Sequence, residues 1–456
     1  LKRIKGSGDI FFAVADREWV LAGANVHVSM IGFDDGTEKE RMLDERNVEA
    51  INANLSTNAD TTQARRLADL ADIAFMGDTK GGAFDVDEAT AVNWLQQPNP
   101  HGSPNSDVLI PWVNGLAVTR RMPPTWIIDF GLRNEAAASG YQAPFKHVRE
   151  HVWPDRKKNN REVYAKFWWR HVEARPAMLA PLESLPRFLN TTTVSTHRLS
   201  VLFTKPALAD HQLIAFARDD DFFFGILHSH VHGVWAGANG TQVRERESGF
   251  RYTPTTCFET FPFPFHLPRA SAAKSSPQSE AMAAHMYYAK EEQTSYGNKA
   301  DHRAAIAAAA KELNDLRDRW LNPPEWTHTE YLEFPASVGG PWDRFIDQSK
   351  VRGDIGTARY PRLAPNDAAA AKELKSRTLT ALYNERPAWL DFAHQKLDAA
   401  VAAAYHWPVG LTDEQILERL LKLNLERAAA ETQAVQETAA TKKLKPQRAK
   451  HADELI

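Results

Sequence analysis

The sequence RFLNTTTVSTHRLSVLF, at residues 187–203, opens the stretch that decides the fold of this chain. DDDFFFGILHSHVHGVWAGANGTQVRER follows at 219–246, and RYTPTTCFETFPFPF follows at 251–265. The β-branched and aromatic residues of LSVLF and DFFFGIL favour half-buried strands, and the glycines and asparagine at 237–240 indicate a tight turn. Because proline cannot continue a helix, Pro254, Pro262 and Pro264 predict a rigid, extended exit.

Polar side chains lie between these predicted strands. A small β-rich scaffold that presents His, Arg, Ser and Thr suits the hydrogen-bond pattern on the base edges of DNA. The candidate DNA-contacting residues in this stretch are Arg187, His197, Arg198, Ser229, His230, His232, Arg244, Arg246 and Arg251.

Length and composition set the limits of the interpretation. A chain of 456 residues favours about two to four domains at ~150 residues each, and it can bury a sizeable core. The single cysteine, Cys257, excludes a disulfide framework and a cysteine-based zinc cluster and suits a reducing compartment. Since the sequence has no apolar run of ~18 residues and no signal-peptide pattern, we expect a cytoplasmic protein without a membrane span.

The net charge of −3 gives no global nucleic-acid signature, so nucleic-acid binding requires a local basic patch. Residues 146–175 are rich in Lys and Arg with interleaved Trp, Tyr and Phe. Lys157, Lys158 and Arg161 are the residues of this segment expected to hold phosphates. The alternative is an amphipathic helix with a solvated charged face and an aromatic core stripe, and both interpretations can hold at once.

The chain divides into five predicted segments. Two strands, GDIFFAV and ANVHVSMIGF, begin it, and TTQARRLADLADIAFMG predicts a short helix that ends at Gly77. We expect Asp129 to cap the helix that follows it. The segments are the first strands at 1–45, a connecting α/β region at 46–186, the recognition core at 187–264, a linker at 265–300 and a helical carboxy-terminal region at 301–456.

A family resemblance rests on two motifs of the recognition core. FGILHSHVHGVWA at 224–236 and RYTPTTCFETFPFP at 251–264 resemble the target-recognition region of large adenine-specific DNA methyltransferases. These are the single-chain type IIG and IIL restriction–modification enzymes and their phage-defence relatives. NPHGSPNSDVLIPW at 99–112, WIIDFG at 126–131 and the segment 381–408 extend the resemblance in both directions.

The resemblance implies an α/β fold with three parts. These are the last strands of a Rossmann-like methyltransferase sheet, a mixed target-recognition domain and a helical carboxy-terminal region. It also implies recognition of double-stranded DNA for adenine-N6 methylation with S-adenosylmethionine. In such enzymes the target base leaves the duplex and stacks on an aromatic ring, and the resemblance points to Trp19 for that role, with Phe11 or Phe12 behind it. The alternative is that all three are core residues.

Two motifs of the family are missing from the sequence. Asn322, Pro323 and Pro324 are followed by Glu325, where an adenine methyltransferase has an aromatic residue, and the segment follows a charged helix, so we interpret it as a helix stop. No glycine-rich cofactor loop follows an acidic strand end. The sequence begins with Leu in the middle of a pattern. We therefore expect a fragment or a split subunit that is inactive alone, with the cofactor bound mainly by a missing half on the same or a separate chain.

Two other functions stay open. The chain could be a non-catalytic DNA-specificity subunit that needs a methyltransferase partner. Alternatively, His228, His230 and His232 would share one face of a strand and could bind a metal, as in a metal-dependent hydrolase. Asp219, Asp220, Asp221 and His211 would be the further ligands. The resemblance itself implies no metal at this position.

Overall fold

The computed structural model describes residues 1–21, 24–57, 59–121, 125–242, 249–267 and 296–452. This part of the chain is a mixed α/β structure with several sheets and a helical carboxy-terminal region, which confirms the predicted fold class. Within these residues, no helix is both long and apolar enough to cross a membrane. The linker predicted at 265–300 lies mostly outside the described residues, and the predicted domain boundaries stay predictions.

The described strands are short except for two long pairs, the first two and the last two along the chain. They are β1 (Asp9–Leu21), β2 (Ala24–Asp34), β3 (Arg41–Leu43), β4 (Arg46–Val48), β5 (Ala74–Met76), β6 (Asp85–Asp87), β7 (Leu109–Val113), β8 (Thr125–Ile128), β9 (Arg187–Thr192), β10 (Val194–Ser195), β11 (Ser200–Thr204), β12 (Leu208–Ala209), β13 (Leu213–Phe216), β14 (Thr241–Gln242), β15 (Phe250–Arg251), β16 (Thr327–Ser337) and β17 (Ile355–Pro365).

The longest described helices lie in the second half of the chain. They are α1 (Lys2–Ser7), α2 (Glu88–Leu95), α3 (Gly115–Thr119), α4 (Glu135–Ser139), α5 (Gln142–His151), α6 (Trp153–Arg156), α7 (Glu162–Lys166), α8 (Pro176–Leu182), α9 (Asp221–His228), α10 (His230–Asn239), α11 (Tyr296–Leu321), α12 (Ala368–Ser376), α13 (Leu379–Glu385), α14 (Ala388–Ala404) and α15 (Asp413–Ala452).

Hydrogen bonds join the described strands into five sheets. Their orders are β2–β1–β3–β4, β12–β7–β8–β6, β11–β9–β13–β5, β10–β15–β14 and β16–β17. The first of these, the amino-terminal sheet, has a small core of its own, formed by Ile10, Ala13, Leu43 and Ile51. The other sheets pack with the helices around one large core.

The centre of the large core is aromatic. The ring of Phe216 on β13 lies 5.7 Å from that of Phe223 and 5.2 Å from that of Phe258, between centroids. Phe263 stacks on Phe223 at 5.5 Å. The exit of the recognition core was predicted to be extended, but it begins with a π-helical turn, Pro254–Phe258. Its phenylalanines fold back into the core because aromatic side chains bury a large apolar area.

The strand predicted for DFFFGIL is wrong, since this segment is helix α9. Asp220 caps the helix, and its Oδ1 accepts a hydrogen bond of 2.8 Å from the backbone N–H of Phe223. Every residue from Phe222 to His228 is buried. A helix that is buried all round has no polar face, so its sequence lacks the 3.6-residue period that distinguishes it from a strand.

Glycines in this region permit close helix packing and a helix end. A Cβ on Gly225 would lie 2.8 Å from the Cβ of Ala310 and 2.9 Å from Cγ2 of Ile306, so glycine lets α9 approach α11 closely. The turn predicted at 237–240 is the end of α10, where Gly240 is the C-cap residue.

Three predictions for the connecting region are also wrong. Residues 61–77 form two short 3-10 turns and β5, not a helix. Asp129 accepts from the N–H of Gly131, whereas Asn134 caps α4. The basic segment 146–175 contains parts of three short helices, α5 to α7, in place of one amphipathic helix.

The carboxy-terminal region is helical but also holds a hairpin that the sequence analysis missed. Thr412 and Gln415 form the reciprocal pair of a capping box at the start of α15, with distances of 3.0 and 3.3 Å. Helix α11 ends at Leu321, before the two prolines, and the chain then enters β16. The hairpin β16–β17 packs on the β7–β8 sheet through Trp342, which stacks on Trp126 at 5.5 Å between ring centroids.

Candidate nucleic-acid interface

The three-stranded sheet β10–β15–β14, here called the recognition sheet, carries the most accessible of the described arginines that were predicted to contact DNA from the core stretch, Arg251. Arg251 is exposed on the central strand, opposite Val194 and Thr241. Arg244 and Arg246 belong to the segment between β14 and β15 and lie outside the described residues. The sheet therefore holds the two ends of a short, arginine-containing segment beside an exposed arginine.

Arg198 lies behind the recognition sheet. Its Nη2 donates to the carbonyl of Phe250 at 3.1 Å, and its Nη1 donates to the carbonyl of Thr192. The guanidinium lies 4.7 Å from the ring centroid of Phe250 and 5.1 Å from that of Tyr252. Burial lowers the pKa of Arg198 to about 10, so it remains charged at neutral pH. Its donors bond to the backbone of β9 and β15, so any contact with DNA would compete with these bonds, and the predicted DNA contact of Arg198 stays a prediction.

His197 and Arg187 are likewise engaged within the protein. Nε2 of His197 lies 2.6 Å from Oδ1 of Asn384 on α13, so the imidazole donates its Nε2–H there. Arg187 donates to the carbonyl of Asp219 at 2.9 Å and pairs with the carboxylate of Asp221 at 3.0 Å. Both side chains are half-buried. They link the start of the recognition core to helices, and any contact with DNA would compete with these bonds.

Ser229 and His232 do not reach the surface. Ser229 is the N-cap residue of α10: its Oγ accepts from the N–H of His232 and donates to the carbonyl of Ile226 at 2.7 Å. His232 is 1% exposed, with Nδ1 3.0 Å from the carbonyl of Leu227 and Nε2 3.1 Å from the hydroxyl of Tyr252. Burial lowers its pKa to about 3, so it is neutral. The prediction that these two residues contact DNA is wrong because both are buried and internally bonded.

The three histidines proposed as metal ligands do not converge. They lie on α9 and α10 and not on one strand, so their two-residue spacing does not place them on one face. His230 is exposed, with Nε2 2.9 Å from Oδ1 of Asp413, whereas His228 is buried beside Tyr383. Among the described residues, no three His, Cys, Asp or Glu side chains are grouped so as to hold a metal. The metal-hydrolase hypothesis loses its geometric basis.

The basic segment separates into a buried part and an exposed part. Lys157, Lys158 and Arg161 are exposed between α6 and α7, and Nη1 of Arg161 donates to the hydroxyl of Tyr164 at 2.7 Å. Arg156, in contrast, is buried and donates to the carbonyls of Lys80 and Gly81. The tryptophans at 168 and 169 are buried in the core. The two tryptophans thus belong to the core, while the exposed cations remain candidate phosphate contacts.

Trp19 lies near the far end of the β1–β2 hairpin. The residue is 44% exposed, and its backbone is paired with that of Val26. Phe11 and Phe12 are half-buried nearer the base of the same strand. An exposed indole on a long hairpin is accessible to a partner ring, which is compatible with the predicted stacking role but does not test it.

Comparison with solved structures identifies a similar fold. A structure of the type IIL restriction–modification enzyme MmeI in complex with DNA matches with a TM-score of 0.61 at 15% sequence identity. The match covers 93% of this chain and 47% of the MmeI chain. The chain shares the fold of a restriction–modification enzyme. It spans about half the length of that enzyme. No family model matches the sequence, and no curated protein matches it either.

A buried polar cluster that the sequence patterns did not predict lies behind the recognition core. Arg317 on α11 is 2% exposed, and it lies beside His228 with Tyr383 and His394 in the same cluster. In the sequence Arg317 stands in the charged segment NDLRDRWL, which is typical of a solvent-exposed helix face. Only its position on the stripe of Leu313 and Leu316 hinted that it faces inward.

Proposed function

We propose that this chain binds double-stranded DNA and supplies target recognition to an adenine-N6-specific DNA methyltransferase of the restriction–modification type. The observation that carries the proposal is the fold similarity, over 93% of the chain, to a restriction–modification enzyme solved with DNA. The recognition-core motifs support the same assignment. Fold alone does not determine function, so the exposed side chains must account for binding.

Exposed cations supply the physical basis for DNA binding. Lys157, Lys158 and Arg161 would neutralise backbone phosphates and release counterions. Arg251 would contact DNA from the recognition sheet, together with Arg244 and Arg246 of the adjoining segment. Phosphate contacts fix the position of the protein on the duplex, whereas contacts to base edges carry the sequence information. We assign the first role to the basic segment and the second to the recognition sheet.

Methyl transfer needs residues that this sequence does not contain. A cavity of 440 Å³ lies between α1 and α15, but it has no aromatic ring for an adenine base, since it is lined by Lys2, Lys5, Gly6, Ala53, Asp60, Thr62, Gln63, Ala64, Arg65 and Leu425. These residues do not suit S-adenosylmethionine, so no step is assigned to the cofactor here. We propose that a further part, on the same or a separate polypeptide, binds it.

The amino-terminal sheet supports the existence of such a part. Phe33 and Met42 are 58% and 40% exposed, and they add apolar surface beyond the four-residue core of this sheet. Exposed apolar side chains beside so small a core offer a surface on which the further part would pack. In the assembled enzyme, Trp19 would stack on the adenine that leaves the duplex.

A non-catalytic specificity subunit is the second candidate, since the sequence has neither the catalytic nor the cofactor motif. The two candidates differ in one observable. A piece of a methyltransferase restores methylation when the missing part is supplied, whereas a specificity subunit binds DNA next to an independent methyltransferase. In both cases this chain by itself binds DNA without a requirement for S-adenosylmethionine.

The test is binding to labelled random-sequence duplex DNA across a salt series, with and without S-adenosylmethionine. We expect salt-dependent binding that the cofactor does not change. The triple variant K157Q/K158Q/R161Q should reduce the slope of log K against log salt by about 2 to 3, at ~0.9 per phosphate contact. The matched control, K350Q/K372Q/K375Q, removes three other exposed lysines and should leave the slope unchanged. Absence of binding at low salt would overturn the proposal.

A further inference from the structure

Arg317 is a buried cation without a carboxylate partner among its described contacts. Its Nη1 lies 3.0 Å from Nε2 of His228, and its Nη2 donates to the carbonyl of Ser200 at 3.0 Å. The guanidinium also lies 5.7 Å from the ring centroid of Phe224 and 5.9 Å from that of Tyr383. A buried charge is costly unless its donors form hydrogen bonds. The bond to the carbonyl of Ser200 satisfies one of these donors and links α11 to the recognition core.

Ser200 lies at the end of a loop of the recognition core. Ser200 is the first residue of β11 and comes directly after the loop that contains His197 and Arg198. The other side of that loop is held by α13, where Oδ1 of Asn384 accepts the hydrogen bond from His197 at 2.6 Å. Two carboxy-terminal helices therefore hold this loop, one at each end.

The same helices share one hydrogen-bonded cluster. The hydroxyl of Tyr383, the residue before Asn384, lies 2.7 Å from Nε2 of His228 and 2.9 Å from Nε2 of His394. His228 is also the neighbour of Arg317. Helices α9, α11, α13 and α14 thus meet at this cluster, and the loop is fixed to all of them together.

The same loop is hydrogen-bonded to the recognition sheet. Arg198 donates to the carbonyl of Phe250 at 3.1 Å, and Phe250 is the residue before the exposed Arg251. Tyr252, the residue after Arg251, has its hydroxyl 3.1 Å from His232. A continuous series of contacts leads from α11 and α13 through His197, Ser200 and Arg198 to the strand that carries Arg251.

We propose that Arg317 and Asn384 are positioning residues for DNA readout, through which the carboxy-terminal helices set the orientation of the recognition sheet. Neither residue touches DNA in this scheme; both act through the loop at 195–200. The proposal rests on the proposed function, because it concerns the residues that select the DNA sequence. It predicts that changes in the helical region alter base preference without altering the number of phosphate contacts.

The experiment selects bound sequences from a random duplex library and then compares affinity for the best selected duplex with affinity for the pool. We expect N384A to lower this ratio by about three- to tenfold, with an unchanged salt slope and a Tm within about 2 °C of wild type. Asn384 is exposed, so the variant should fold. The matched control is N366A, which removes a similar histidine–asparagine hydrogen bond, His328 to Asn366 at 2.9 Å, together with the bond from Asn366 to the carbonyl of Glu325, at the base of the β16–β17 hairpin. It should leave the ratio unchanged.

A second variant and a second measurement separate positioning from stability. R317K keeps a cation at the cluster and should retain more of the selectivity than R317M does. Amide hydrogen exchange without DNA should be faster at 195–200 and 249–251 in N384A than in N366A. If wild type selects a sequence and N384A and R317M select it equally well, the inference fails and the proposed function stands. If wild type binds no DNA, or binds without any preference, the proposed function or its recognition role fails and the inference falls with it.

Discussion

The amino-terminal sheet and the recognition core use apolar residues in opposite ways. The recognition core buries its largest side chains completely, including Phe223, Phe224 and Trp235. The amino-terminal sheet buries four residues in a core of its own and leaves Phe33 and Met42 largely exposed. The comparison teaches that the recognition core places its large apolar side chains inside the chain, whereas the amino-terminal sheet leaves two of them accessible.

The largest expected loss of stability comes from a cavity made in the recognition core. Trp235 is fully buried and donates its Nε1–H to Oγ1 of Thr260 at 3.2 Å. Trp235→Ala should lower the free energy of unfolding by about 3–5 kcal/mol, measured by denaturant unfolding. Phe33→Ala, at an exposed side chain of the amino-terminal sheet, should change the free energy of unfolding by no more than about 0.5 kcal/mol. Equal losses of unfolding free energy in the two variants would show that the recognition core and the amino-terminal sheet do not differ in this way.

The two regions should also lose stability in different pH ranges. Burial lowers the pKa of His394 to about 4 from 6.5, so the unfolded chain binds more protons between these values and the stability of the core falls as pH drops from 6.5 to 4. The loss is about 3 kcal/mol at 1.36 kcal/mol per unit of pKa. Asp9 in the amino-terminal sheet behaves differently. Although burial opposes ionisation, hydrogen bonds from Lys5 and Arg41 lower its pKa to about 2, so its contribution persists to about pH 3.8 and is lost below.

Unfolding free energies measured between pH 7 and 4 test this difference. Replacing His394 with Gln should make the dependence in that range less steep, since one of the buried histidines that carry it is gone, while His232, whose pKa burial lowers to about 3, remains. Asp9→Asn should leave it unchanged, because Asp9 is ionised throughout. An identical pH dependence in wild type and in H394Q would show that the histidine does not carry the effect.

A smaller effect is expected at the contact between α9 and α11. A Cβ at Gly225 would meet Ala310 and Ile306 at 2.8 and 2.9 Å, so Gly225→Ala should destabilise the core by about 1–3 kcal/mol through overpacking. The matched control is Gly233→Ala on α10, where nothing lies within 4 Å of the added Cβ. There alanine should be neutral or stabilising by up to about 1 kcal/mol, because it favours the helix. Thermal unfolding should show a lower Tm for Gly225→Ala and an unchanged or higher Tm for Gly233→Ala.

Local chemistry made several features predictable. The capping box of Thr412 and Gln415 and the helix stop before Pro323 depend on neighbours within a few residues, and both occur in the structure. The strands at 187–203 follow from their β-branched and aromatic residues. The site was less predictable. The exposed Arg251 and the basic segment at 157–161 are accessible, whereas Ser229, His232 and Arg198 serve the interior.

The sequence by itself determined the α/β class, the mixture of strands and helices around residue 187 and the motifs that resemble a methyltransferase. Only the tertiary structure decided that DFFFGIL is a helix and that Arg317 is buried. The physical reason is distance along the chain. A helix enclosed on every side shows no periodic polar face, and Arg317 bonds to Ser200, 117 positions away. No local pattern encodes such a partner, because packing brings it into place only when the whole core has formed.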